Sequence, residues 1–127
     1  MPKTALILFA HGARDPDWAS PIHRVKAAVH ARHPGMRVEL AFLEIMRPNL
    51  QDCVASLLSE GFERLIVLPM FIAQGGHFKK DLPLILDEMR QGHPQVIFEL
   101  AGPVGEAEPV IQAMAAHALV LVDAKLA

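Results

Sequence analysis

Apolar and polar positions along the chain follow two alternating rhythms. Thr4–Ala10 (TALILFA) is almost continuously apolar, the pattern of a strand covered on both faces. After a polar stretch from His11 to Asp17, Trp18, Ile22, Val25 and Val29 recur at three- and four-residue steps, which predicts an amphipathic helix. Ser20-Pro21 supplies its cap and first position, and His33-Pro34-Gly35 stops it. The rhythm then repeats. Arg37–Leu43 (RVELAFL) reads as a second strand. Pro48 opens a helix that buries Leu50, Cys53, Val54, Leu57 and Leu58, with Gly61 as its C-terminal cap. Arg64–Phe71 (RLIVLPMF) is the third strand, and Pro69 marks where regular pairing stops. A loop, Ile72–Lys80, leads to a helix capped by Asp81. That helix carries Leu82, Ile85, Leu86 and Met89 on one face and ends at Gly92-His93-Pro94. Gln95–Ala101 (QVIFELA) is the fourth strand, and Glu108-Pro109 opens a last helix that reaches about Val122.

Four strand–helix units with buried-type strands predict an α/β fold, an open and mainly parallel four-stranded sheet with helices on both faces. Right-handed crossovers leave few topologies, and the flavodoxin-like order 2-1-3-4 is the expected one. The 127 residues fit one domain, 1–127, and 52% apolar content supports a packed core and excludes a disordered chain. The net charge of −2 offers no basic excess for nucleic acid, so no nucleic-acid partner is expected. The single cysteine, Cys53, excludes an intramolecular disulfide and a Cys-rich zinc site. It sits on the apolar stripe of the second helix, the place of a small buried hydrophobe. No stretch approaches the roughly 18 apolar residues that span a bilayer. The run Ala5–Ala10 is shorter than the apolar centre of a signal peptide. The expected location is the cytoplasm, with no membrane partner.

In an open parallel sheet, ligands bind beyond the carboxyl ends of the strands. His11 follows the first strand, Glu44 ends the second, and His77 follows the third within Gly75-Gly76-His77, at steps of 33 residues. The order 2-1-3 makes these three strands neighbours, so two imidazoles and one carboxylate converge on one rim. Imidazole nitrogen and carboxylate oxygen suit a divalent transition metal, and three protein ligands leave positions open for exchange. Gly12, Gly75 and Gly76 clear side chains from beside both histidines, which admits a flat ligand. Arg14, Arg47, Lys79 and Lys80 stand near the rim as anchors for an anionic substrate. His30 and His33 end a polar helical face and read as surface residues; His23, His93 and His117 have no partner at ligand spacing. A carrier of the metal or of the flat ligand would use the same rim residues without turnover. A phosphoryl-transfer enzyme with His11 as nucleophile would need an arginine just before it, where Ala10 stands.

Three segments carry a resemblance. Phe9-Ala10-His11-Gly12-Ala13-Arg14-Asp15-Pro16, Ala41-Phe42-Leu43-Glu44, and the long run from Pro69 through Gly75-Gly76-His77-Phe78-Lys79-Lys80-Asp81-Leu82-Pro83 resemble the class II tetrapyrrole chelatases, closest to the short CbiX type. The resemblance covers nearly the whole chain, and its third segment is the most specific. It implies insertion of Co²⁺, Fe²⁺ or Ni²⁺ into sirohydrochlorin, on routes to cobalamin, sirohaem or a nickel cofactor. The metal is a substrate and no organic cofactor is implied. The family's metal ligands match His11 and His77, and Glu44 matches the carboxylate at the second strand end of related chelatases. Longer members fuse two βα halves; short members, with one half like this chain, pair as homodimers around a shared cleft. Insertion displaces two pyrrole N–H protons, and His11 and His77 are the candidate acceptors.

Overall fold

The computed structural model describes residues 2–73 and 75–126, with side chains except those of 77, 78 and 124–126. Its strands are β1 (Thr4–Ala10), β2 (Arg37–Phe42), β3 (Arg64–Pro69) and β4 (Ile97–Leu100). Its helices are α1 (Ser20–Arg32), α2 (Leu50–Ser59), α3 (Gly76–Gly92) and α4 (Glu108–Leu126), with a short 3₁₀ turn at Val104–Glu106. The sheet order is β2-β1-β3-β4 and every pairing is parallel, the expected flavodoxin-like arrangement. Leu8 of β1 faces Leu40 on one side and Leu68 on the other. Ala5, Ile7, Leu8 and Ala10 are fully buried, as a central strand with neighbours on both edges requires.

The two faces of the sheet carry separate cores. Ile7, Phe9, Leu65, Val67 and Phe98 pack with Leu50, Cys53, Val54 and Leu57 of α2 and with Leu82 and Leu86 of α3. On the opposite face, Leu8, Ala10, Val38, Leu40 and Phe42 pack with Ile22 of α1. Helix α2 begins where the Asn49 side chain accepts the Asp52 N–H at 2.7 Å, so Asn49 caps it one residue after the expected Pro48.

The structure departs from the sequence expectation in four places. Helix α3 starts at Gly76, with Gly75 as its cap, instead of at Asp81, so His77, Lys79 and Lys80 are helical and not part of a loop. Pro83 then lies inside the helix, at a cost of roughly 3 kcal/mol. Leu82 and Leu86, on either side of the proline, are fully buried and hold this part of α3 on the sheet, roughly 1.5–3 kcal/mol each. Helix α1 starts at Ser20 with Ala19 as its N-cap and no side-chain cap bond. On its apolar stripe Ile22 alone is buried; Trp18, which precedes the helix, and Val25 stay exposed. β2 and β3 end at Phe42 and Pro69, short of the expected Leu43 and Phe71, and β4 spans Ile97–Leu100 within the expected Gln95–Ala101, although backbone bonds continue past β2 and β3: Leu43 N–H to Ala10 O at 2.9 Å and Met70 N–H to Phe9 O at 2.7 Å. Helix α4 continues to Leu126, beyond the expected Val122, and its side chains from 111 to 123 are all exposed.

Candidate active site

The carboxyl ends of β2, β1 and β3 lie side by side, and the chain stays ordered by main-chain bonds beyond them. Glu44 N–H donates to His11 O at 3.0 Å, directly after the Leu43–Ala10 bond. The main chains carrying the first two candidate metal ligands are therefore tied together. Gly12 has φ +91°, and a Cβ there would overlap the carbonyl oxygen of Glu44. Only glycine satisfies both the angle and the contact.

After Glu44 the chain reverses tightly into α2. Met46 N–H bonds Glu44 O at 2.7 Å, Phe42 N–H bonds Pro48 O at 2.8 Å, and the Arg47–Pro48 peptide is cis. Ile45 has φ +69°, a strained conformation for a β-branched residue and worth of order 1–3 kcal/mol. Its side chain is 61% exposed, so burial does not offset that strain. Strain retained at a strand end is characteristic of ligand-contact segments.

The His11 ring leans on Phe71, with centroids 4.9 Å apart and planes tilted by 43°. Phe71 is itself buried and meets Phe9 edge-on at 6.2 Å. An aromatic column thus runs from the core to the rim and orients an imidazole that is otherwise exposed. The Glu44 side chain is also exposed. His77 is the second residue of α3, and its side chain lies outside the described residues. The structure thus brings His11 and Glu44 together and puts the His77 backbone at the start of α3. Among the described residues no three His, Cys, Asp or Glu side chains group around one metal position. Arg14 is exposed in the loop after Gly12, Arg47 in the reversal after Glu44, and Lys79 and Lys80 on the first turns of α3.

Sequence reasoning missed the apolar part of the rim. Leu43, Ile45 and Ile72 are exposed aliphatic residues just past the ends of β2 and β3, and Ile72 is 75% exposed. The signal was present: turns favour polar residues, and here aliphatic ones occupy them. A cavity of about 470 Å³ opens beside Leu43 and Ile45, lined also by Glu44, Arg47 and Asp52. A larger cavity of about 760 Å³ lies at the amino edge of the sheet, between Lys3, Lys26, Arg37 and Glu39. Its cations are engaged there: Lys26 with Glu39 at 3.2 Å and Arg37 with Glu60 at 2.8 Å. Glu60 holds Arg37 charged above the usual guanidinium range, and Arg37 in turn holds the Glu60 carboxyl below its ordinary value. The smaller, rim-side opening is the one lined by the candidate residues Glu44 and Arg47.

Among the described residues no helix is long and apolar enough to cross a membrane. The chain is 30% identical to the sirohydrochlorin cobaltochelatase of Saccharolobus solfataricus over 111 residues, covering 83% of this chain and 85% of that one. It is 27% identical to the sirohydrochlorin cobaltochelatase of Priestia megaterium over 108 residues, 85% of this chain but only 35% of that longer protein's length. The fold matches the crystal structure of a putative cobalamin biosynthesis CbiX protein from Marinobacter aquaeolei VT8, with TM-score 0.76 and 25% identity, over 98% of this chain and 99% of that one. It also matches the sirohydrochlorin chelatase SirB from Bacillus subtilis subspecies spizizenii, with TM-score 0.73 and 22% identity, over 87% of this chain and 47% of that one. The CbiX family profile covers residues 5–119, and the chain belongs to the CbiX family.

Proposed function

We propose that this chain is a sirohydrochlorin metal chelatase, a lyase that inserts Co²⁺ or Fe²⁺, and with them Ni²⁺, into the tetrapyrrole. The observation that carries this reading is the joining of His11 and Glu44 on adjacent strand ends in a chain that matches the CbiX family over 5–119. The similarity to the Saccharolobus solfataricus cobaltochelatase, over most of both chains, supports the substrate.

In this reading His11, Glu44 and His77 present the metal to one face of the macrocycle. Glu44 neutralises part of the metal's charge, and the neutral imidazoles leave exchangeable positions. The metal replaces two pyrrole N–H protons, so two protons leave for each ion inserted. As the metal passes to the macrocycle, the imidazole nitrogens of His11 and His77 that it leaves are free to take those protons, so each histidine alternates between ligand and base. The exposed Leu43, Ile45 and Ile72 offer an apolar platform for the macrocycle, and Arg14, Arg47, Lys79 and Lys80 meet its peripheral carboxylates. One half-domain, 1–127, encloses little of so large a ligand, whereas ligand sites commonly bury 70–90% of theirs. A homodimer around a shared cleft supplies the missing wall. A cytoplasmic location fits a chain with a lone buried cysteine.

The test is an anaerobic absorbance assay with sirohydrochlorin and Co²⁺, then Fe²⁺ and Ni²⁺, at sub-stoichiometric protein. Multiple turnovers above the protein-free rate, abolished in His11→Ala and His77→Ala, are the expected result. Stoichiometric binding without acceleration would make the protein a carrier.

A further inference from the structure

The end of β3 is held partly from a side that carries no candidate ligand. Met70 N–H to Phe9 O, at 2.7 Å, ties it to β1. One residue later the support comes from beyond β4. Ala101 N–H bonds Val67 O at 2.9 Å, the chain runs through the buried Pro103, and Gly105 N–H bonds Phe71 O at 2.9 Å. Gly105 is itself buried and closes on the Ile72 main chain. A Cβ there would lie 2.3 Å from both the Ile72 Cα and the Ile72 carbonyl oxygen.

Heavy atoms in ordinary contact stand about 3.5 Å apart, so an alanine at 105 has to push the turn and the β3 end apart by roughly 1 Å. The obstacle is backbone, which cannot swing aside as a side-chain tip does. The turn is also stiff. Glu106 N–H bonds Pro103 O at 3.0 Å, Ala107 N–H bonds Val104 O at 3.2 Å, and Ile111 N–H bonds Ala107 O at 3.0 Å as α4 begins. Gly102, in the same segment, has nothing within 4 Å of an added carbon.

What the turn holds is the residue under His11. The Glu44 N–H to His11 O bond fixes where His11 stands, but not where its ring points. An exposed imidazole has several rotamers open to it. The Phe71 ring, 4.9 Å away by centroid and tilted by 43°, is the surface on which this one settles, with the buried Phe9 behind it at 6.2 Å. Moving the Phe71 main chain moves that surface.

We propose that the turn Val104–Glu106 is a positioning element of the candidate metal site: Gly105 sets Phe71, and Phe71 sets the direction of the His11 ring. Both are positioning residues that act through His11, and the inference rests on the reading of His11 as a metal ligand. A segment with no ligand of its own then controls the site, because a misplacement of about 1 Å is enough to cost about 10²-fold in rate.

The test sets Gly105→Ala against Gly102→Ala, and Phe71→Leu against Phe71→Tyr, which keeps the ring. Phe98→Leu controls for lost core packing: Phe98 is buried like Phe71, at 5% against 7%, but pairs with Leu65 toward the amino end of β3. In the metal-free protein the His11 ring protons, assigned by their loss in His11→Ala, should be displaced by the ring current of Phe71. Gly105→Ala and Phe71→Leu should return them toward the ordinary imidazole position. In the same two variants Co²⁺ affinity by calorimetry and kcat for insertion should fall roughly 10–100-fold, with KM for sirohydrochlorin unchanged. Gly102→Ala, Phe71→Tyr and Phe98→Leu should stay near wild type in every readout. If Gly105→Ala does not fold, Pro103→Gly takes its place, since it loosens the turn without adding volume, and the same outcome is expected. A wild type that binds no Co²⁺ or does not turn over sinks the chelatase reading, and the ring protons still decide whether the turn sets His11. His11 resonances unmoved in the turn variant and in Phe71→Leu would overturn the proposal, as would equal losses of Co²⁺ affinity in Phe71→Leu and Phe98→Leu.

Discussion

Gly12 and Glu44 touch main chain to main chain at the rim of the sheet: no side chain fits between the Gly12 Cα and the Glu44 carbonyl. The contact fixes how closely the end of β2 approaches the end of β1, while the Glu44 N–H to His11 O bond fixes their register. Two exposed side chains of the candidate metal site thus hang from a rigid backbone frame. That is the arrangement a metal site needs if its ligands are to be placed before the metal arrives.

Gly12→Ala tests the frame directly. The substitution adds a Cβ at φ +91° and forces it into the Glu44 carbonyl, so both strain and overlap oppose it. The expected loss exceeds about 1 kcal/mol in urea unfolding, and metal affinity should fall with it. Gly35→Ala is the control, because nothing lies within 4 Å of its added carbon, and it should stay within about 0.5 kcal/mol of wild type. Equal stability of the two variants would mean the rim yields freely.

His11→Ala and Glu44→Gln should each lower the rate of metal insertion by roughly 10²-fold or more, with the fold intact because both side chains are exposed. Binding of Co²⁺ alone, followed by calorimetry, should weaken in both. Metal binding needs neutral imidazole, so wild-type activity should fall on the acid side. A rate that stays flat well below pH 6 would remove histidine from both ligand and base roles.

Cys53 tests the core of the second helix. It is buried between α2 and the sheet, and that burial pushes its thiol up to about 11 from 9.0. The native thiol should resist alkylation at pH 8 and react at the ordinary rate once urea unfolds the chain. The sign of the linkage follows from the raised value. The folded chain keeps its proton longer, so this contribution is whole below about pH 9 and is lost as pH rises toward 11. Fast labelling of the native chain would show that α2 opens locally.

Much of the fold was legible because parallel strands covered on both faces leave continuous apolar runs, and TALILFA matches β1 residue for residue. The strand ends in turn located His11, Glu44 and the loop before His77. The structure starts α3 at Gly76 where the sequence suggests Asp81, because Asp81 followed by Pro83 looks like a cap and an early helical position, while a helix can carry a proline in its interior at a cost that no local pattern shows being met. The Gly12–Glu44 contact and the support of His11 by Phe71 were not legible, since each joins residues far apart in the chain. Ile45 and Ile72 were passed over for a different reason: aliphatic residues in turns carry no motif, and only their exposure marks them.

The rim cations offer a test in which location decides the result. Arg14, Arg47, Lys79 and Lys80 are exposed, so each contact with a substrate carboxylate should contribute only about 0.2–1 kcal/mol. Neutralising all four therefore predicts a rise in KM for sirohydrochlorin of roughly 4- to 10³-fold, with kcat little changed, because the contacts are equally present before and during insertion. Added salt should raise the wild-type KM through screening at a length near 10 Å in 0.1 M salt, and that dependence should flatten in the variant. Lys26→Gln is the matched control. Lys26 sits at the amino edge in an ion pair with Glu39, at the far end of the strands, and its loss should leave KM and its salt dependence unchanged. If the quadruple variant and the control behave alike, the anionic groups of the macrocycle are held elsewhere, and the apolar residues Leu43, Ile45 and Ile72 become the first candidates for holding the substrate.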